Sequence, residues 1–150
     1  MKYSVSAVIN KPREEVVAKF DNADNMKHWM RGLQSFEHLE GEPGKAGAKS
    51  KMVFKSGKRT IEMVETIVEN KLPDYLHGSY DAKGVHNTIK ANFEDIDGKS
   101  TRYVNEQEFH FAGLAMKFMG WIMPGAFKKQ SMIYLNDFKA FVEEGTSVAE

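Results

Sequence analysis

The 150-residue chain carries 21 Lys and Arg against 21 Asp and Glu, with a pI near 7.0 and a mean hydropathy of −0.50. A chain of this length fits one domain whose core needs no covalent staple, and its balanced charge excludes a nucleic-acid surface, which demands a basic excess. Cysteine is absent, which excludes disulfides and thiolate chemistry and makes a reducing, cytoplasmic setting the simple expectation.

The opening "MKYSVSAVINKP" alternates and soon turns polar, unlike a signal peptide. Residues 2–10 put Tyr3, Val5, Ala7 and Ile9 on one side, which predicts a strand. "NKPREEVVAKF" opens a helix, with Pro12 early and Glu14 and Glu15 in the first turn. "DNADNMKHWM" predicts a second short helix, carrying Met26 and Trp29 and broken by Gly32. The period then becomes two, in segments near 33–41, 48–56, 59–69, 74–81, 85–95 and 100–111, the spacing of an antiparallel meander.

"GLAMKFMGWIMPG", Gly113 to Gly125, is the most apolar stretch, yet it is shorter than the roughly 20 residues that cross a bilayer. No membrane span is expected. Beyond it, Phe127, Ser131, Tyr134, Leu135, Phe138, Phe141 and Val142 repeat at helical spacing, with Lys128, Lys129, Asn136, Lys139 and Glu143 opposite. One amphipathic helix over 125–144 is predicted. The class is α+β: a curved sheet must bury one face against one long helix, because nothing else can cover it.

Hairpin turns fix which residues face each other. A Gly57-Lys58 turn sets Phe54 opposite Ile61, Met52 opposite Met63 and Ser50 opposite Glu65. "DAKG" at 81–84, read as the loop, pairs Tyr80 with Val85, Gly78 with Asn87 and Leu76 with Ile89. A three-residue loop at Asp97-Gly98-Lys99 pairs Phe93 with Tyr103, Ala91 with Asn105 and Asn87 with Phe109. Matching the apolar faces of the strands at 59–69 and 74–81 sets Met63 beside Tyr80.

Three rows then cross the concave face. Met52, Met63, Tyr80, Val85 and Phe111 are apolar; Ala48, Ile67, Leu76, Ile89 and Gln107 nearly so. Between them run Ser50, Glu65, Gly78, Asn87 and Phe109. A carboxylate facing inward must be paired, protonated or near water, which a hollow between sheet and helix would provide. The alternative is a bulge in 59–69 that turns Glu65 outward and Val64 and Val68 inward.

This element order, with the turn "GEPGKAG" at 41–47, Trp29 ending the second helix and "LEG" at 39–41 ending the next strand, resembles the START-like superfamily over nearly the whole chain. That superfamily includes the birch-pollen-allergen-like, polyketide cyclase/dehydrase and lipid-transport proteins. The resemblance implies the helix-grip fold, a seven-stranded antiparallel sheet round a carboxy-terminal helix with an apolar cavity between. It does not select a function, since carriers, receptors, cyclases and co-chaperone domains share the fold.

The five histidines show no i,i+4 pair and no HExxH, so surface positions explain them and no metal or cofactor is expected. No GxSxG accompanies the serines, and the glycines at 41, 44 and 47 lack the Lys-Ser/Thr of a nucleotide loop. Glu65 with Asn87 is the one pairing with catalytic character: an acid or base beside an amide that orients a ligand. The milder reading has both fix a ligand's polar end.

The ligand-facing candidates from the sheet are Met52, Phe54, Met63, Tyr80, Ile89, Phe93, Tyr103, Asn105, Gln107, Phe109 and Phe111. Met26 and Trp29 come from the short helix, Met116 and Met119 from the apolar connector, and Phe127 and Tyr134 from the long helix. Flexible methionines suit a wall that fits varied apolar shapes. The connector at 113–123 is expected to form the cavity rim, with a homodimer contact as its rival. The expected function is binding of a hydrophobic small molecule, a lipid or polycyclic aromatic. The alternatives are a cyclase or dehydratase using Glu65 and a co-chaperone-like interaction module.

Overall fold

The computed structural model describes residues 1–113 and 124–149. Strand β1 (Lys2–Ile9) leads into helix α1 (Arg13–Phe20), a 3-10 turn (Ala23–Asn25) and the single turn α2 (Met26–Trp29). Pro12, at φ −60, presets the entry to α1, and Glu14 and Glu15 sit at its positive end. The strands β2 (Leu33–Glu40), β3 (Lys49–Ser56), β4 (Arg59–Lys71), β5 (Tyr75–Ala82), β6 (Val85–Asp95) and β7 (Thr101–Phe111) follow. Helix α3 spans Pro124–Glu144.

All seven strands form one antiparallel sheet in the order β1-β7-β6-β5-β4-β3-β2. Strand β1 returns to pair with β7, so the two short helices carry the chain from one sheet edge to the other. α3 lies across the concave face and packs on β1 and α2.

Two of the four expected registers hold. Phe54 faces Ile61, Met52 faces Met63 and Ser50 faces Glu65. Phe93 faces Tyr103, Ala91 faces Asn105 and Asn87 faces Phe109. Within the loop between β6 and β7, Asp97 Oδ1 accepts from the main chain of Lys99 and Ser100 and from the Ser100 hydroxyl, which holds its carboxyl below the usual range.

The β5–β6 register is a correction. Ala82 faces Val85, Tyr80 faces Asn87, Gly78 faces Ile89 and Leu76 faces Ala91. The turn is only Lys83-Gly84, with Gly84 at φ +77, so every pair moves by two residues. A two-residue slip keeps each side chain on its face but changes its column. The β4–β5 register is also displaced: Tyr80 lies beside Glu65, not Met63, and takes the central place expected for Gly78. The bulge in β4 exists, but between Ile67 and Glu69, where Val68 is 46% exposed; Glu65 remains inward at 7%.

The solid core occupies one end of the space between sheet and helix. Val5 and Ile9 of β1, Val16 and Trp29 of the short helices, Ala91, Phe93 and Tyr103 of the sheet, and Leu135, Phe138 and Val142 of α3 close it. Those helix residues belong to the second half of α3, and the first half covers something else.

Gly32 holds the start of β2. At φ +84 it accepts the Lys55 main-chain N–H at 2.8 Å, and a Cβ there would lie 2.5 Å from the Lys55 carbonyl oxygen. Gly32→Ala is expected to destabilise the fold by about 1–3 kcal/mol in urea unfolding. An unchanged midpoint would mean that β2 can shift without loss.

Candidate functional site

Beneath the first half of α3 the sheet curves away and leaves a cavity of about 400 Å³. Met52, Phe54, Ile61 and Met63 line it from β3 and β4. Tyr80, Asn87, Ile89, Gln107 and Phe109 form the floor, and Phe127, Ser131 and Tyr134 form the roof. Tyr103, Asn105 and Trp29 border the solid core. Helical periodicity explains the division of α3. Phe127, Ser131 and Tyr134 face the hollow, whereas Phe138 and Val142, further along that face, are buried in the core.

Several candidates stand off the wall. Phe93, 2% exposed, stacks on Tyr103 inside the core, where the Phe20 ring packs edge-on against both. Phe111 packs against Phe109 and Phe127 without lining the cavity. Met26, one helical turn before Trp29, also stops short of it. Met116 and Met119, with most of the apolar connector, lie outside the described residues.

Glu65 points inward but does not line the cavity. Tyr80, directly opposite on β5, donates its hydroxyl to Glu65 Oε2 at 2.8 Å and stands between the carboxylate and the hollow. Gly78 gives the Tyr80 ring its place, since a Cβ there would come within 3.3 Å of the Tyr80 hydroxyl. Burial raises the Glu65 proton affinity above the usual carboxylate range, against the opposing effect of the Tyr80 bond. Tyr80 is pushed well above the usual phenol range, by burial first and then by the neighbouring Glu65 charge.

The folded state thus holds the Glu65 proton more tightly than the unfolded chain. Raising the pH through the folded pKa ionises Glu65 inside the fold and removes stability. Glu65→Gln is therefore expected to melt above the wild type at pH 8, with the difference shrinking toward pH 4. Parallel melting curves at both pH values would refute the sign.

A chain of amides continues from Asn87. Its Nδ2 donates to Gln107 Oε1 at 3.3 Å, Gln107 Nε2 donates to Asn105 Oδ1 at 2.7 Å, and Asn105 Nδ2 donates to the Tyr103 hydroxyl at 3.2 Å. Burial pushes the Tyr103 phenol up to about 12. On the roof, the Tyr3 and Ser131 hydroxyls lie 2.7 Å apart. The wall is mainly apolar, with neutral polar groups at fixed places.

Tyr3, Met30, Ser131 and Lys55 also border the cavity. The alternation of β1 and the spacing of α3 already marked Tyr3 and Ser131 as inward-facing. Lys55 carried no such signal, because strand periodicity alone does not show where a cavity opens. Outside the cavity, His110 stands across from His86, with ring centres 6.1 Å apart. The described residues contain no group of three or more side chains suited to a metal and no helix long and apolar enough to cross a membrane.

No family model and no curated protein matches the chain. Solved structures do. The Zhui aromatase/cyclase from Streptomyces sp. R1128 aligns at TM-score 0.81 and 11% identity, covering 95% of this chain and 93% of that one. Ara h 8.0201 aligns at 0.74 and 16%, covering 95% and 97% respectively. Truncated norcoclaurine synthase from Thalictrum flavum aligns at 0.73 and 12%, covering 96% and 94%. The chain has the helix-grip fold of the birch-pollen-allergen-like, START-like proteins, as its element order implied.

Proposed function

We propose that this protein binds a hydrophobic small molecule, a lipid or polycyclic aromatic compound, between its sheet and α3. The observation that carries the reading is a cavity of about 400 Å³ whose wall combines Met52, Phe54, Met63, Ile89 and Phe109 with a few neutral polar groups. Its volume and mixed chemistry are those of small-molecule sites. Filling it releases water from apolar surface, and the fixed polar groups orient what enters. The open volume argues against a co-chaperone-like module, which needs no hollow. Native mass spectrometry after exposure to a lipid and metabolite extract tests the reading: a retained small molecule is expected, and a consistently empty protein would refute it.

A second reading, acid/base catalysis, is favoured by the Tyr80–Glu65 pair. Two of the similar structures are an aromatase/cyclase and a norcoclaurine synthase by name. In such a reaction the group at the ligand would be the Tyr80 hydroxyl, with Glu65 behind it as the proton store. Turnover of the retained molecule should then vanish in both Tyr80→Phe and Glu65→Gln. Turnover surviving in either variant excludes this route.

A further inference from the structure

The polar atoms on the cavity floor are not equally free, and the inequality selects which end of a ligand can lie there. Asn87 and Tyr80 face one another across β6 and β5. Asn87 Nδ2 lies 3.1 Å from the Glu108 carbonyl oxygen, 3.3 Å from that of Thr88 and 3.3 Å from Gln107 Oε1. Main-chain carbonyls only accept, so these contacts fix which end of the amide is nitrogen. The N–H groups are engaged, and the atom left for a ligand is Oδ1, an acceptor.

Tyr80 has one hydroxyl hydrogen, and it goes to Glu65 Oε2. While the carboxylate is ionised, the Tyr80 oxygen offers a ligand only lone pairs. Two acceptors therefore stand on directly paired residues, whose Cβ atoms lie about 5 Å apart in such a pair. A ligand carboxylate or ketone placed against them would set oxygen against oxygen. A hydroxyl, with its one hydrogen, would satisfy either of them. The spare amide hydrogens, on Gln107 and Asn105, lie further toward the solid core and are neutral, so they do not offset the desolvation of an anion. The one charged residue lining the cavity among those described is Lys55, near the β3–β4 turn.

We propose that Tyr80 Oη and Asn87 Oδ1 form a two-acceptor floor that selects the hydroxyl-bearing end of an otherwise apolar ligand and refuses a carboxylate there. This rests on the ligand-binding reading above and adds the polarity and orientation of what is bound.

The test compares 2-naphthol, naphthalene and 2-naphthoate by fluorescence titration at pH 7.5. 2-Naphthol is expected to bind about tenfold tighter than either of the others, the worth of one net hydrogen bond. In Tyr80→Phe its advantage over naphthalene should fall below about threefold. 2-Naphthoate is also titrated in Lys55→Gln, since that lysine is the cation an acid could reach. A residual affinity of the acid that disappears in Lys55→Gln supports the assignment, because it places the carboxylate at that lysine and not on the floor.

Equal binding of naphthol and naphthalene, or naphthoate matching naphthol in both proteins, overturns the polarity and leaves the cavity reading standing. A preference that survives in Tyr80→Phe overturns the role of Tyr80. Failure of all three probes overturns this proposal, and the native mass spectrum decides the cavity reading separately. The wild-type comparison needs no variant, so poor folding of Tyr80→Phe would not blunt the test.

Discussion

Phe138→Ala is expected to cost about 3–5 kcal/mol and to lower Tm by roughly 6–20 °C. Phe138 is 0% exposed, and its ring meets Trp29 at 4.8 Å, Tyr103 at 5.3 Å and Phe20 at 5.8 Å between centroids. It therefore ties α3, α1, α2 and the sheet at one point. Truncation removes the contacts of all four elements, and the neighbours are themselves rigid aromatics that collapse poorly into a void. Trp29 has a further reason to suffer: its indole N–H is buried without an acceptor among the described residues, so packing alone holds it. Chemical denaturation with matched m-values measures the loss. A drop below about 1 kcal/mol would mean that this end of the space is not packed solid.

That solid end and the hollow beside it differ in how plainly the sequence announces them. Helical spacing marked Phe127, Ser131, Tyr134, Phe138 and Val142 as one face, but periodicity does not reveal that the first three roof a cavity and the last two enter a core. That distinction depends on how far the sheet curves from the helix axis, a long-range property. Strand registers were legible where the turn residues pointed to one loop length, as at Gly57-Lys58 and Asp97-Gly98-Lys99. At β5–β6 a loop of two or four residues gives the same alternation, and the choice between them moved Tyr80 from the apolar row to the central one. The central chemical feature, Tyr80 covering Glu65, depended also on the β4–β5 register, where the bulge between Ile67 and Glu69 intervenes. The inward direction of Glu65 was readable, but its concealment was not.

Ile89→Trp should empty the protein of ligand without unfolding it. Ile89 sits midway along β6, opposite Gly78 on one side and Gln107 on the other, and borders the cavity directly. Gly78 has no side chain, and the Tyr80 ring lies over it. An indole there takes a large share of a cavity of about 400 Å³ and competes with any guest for the same volume. Bound ligand seen by native mass spectrometry should fall at least about tenfold, the loss expected when a few apolar contacts disappear. Overpacking a filled core costs about 1–3 kcal/mol, but a side chain entering open volume avoids most of that and gains buried apolar surface. The melting temperature is thus expected to stay within a few degrees of the wild type. Phe138→Ala predicts the reverse pattern, loss of the fold first and of binding only as its consequence. If Ile89→Trp keeps its full ligand load, the guest sits elsewhere; if it unfolds, the space beside Ile89 was already filled.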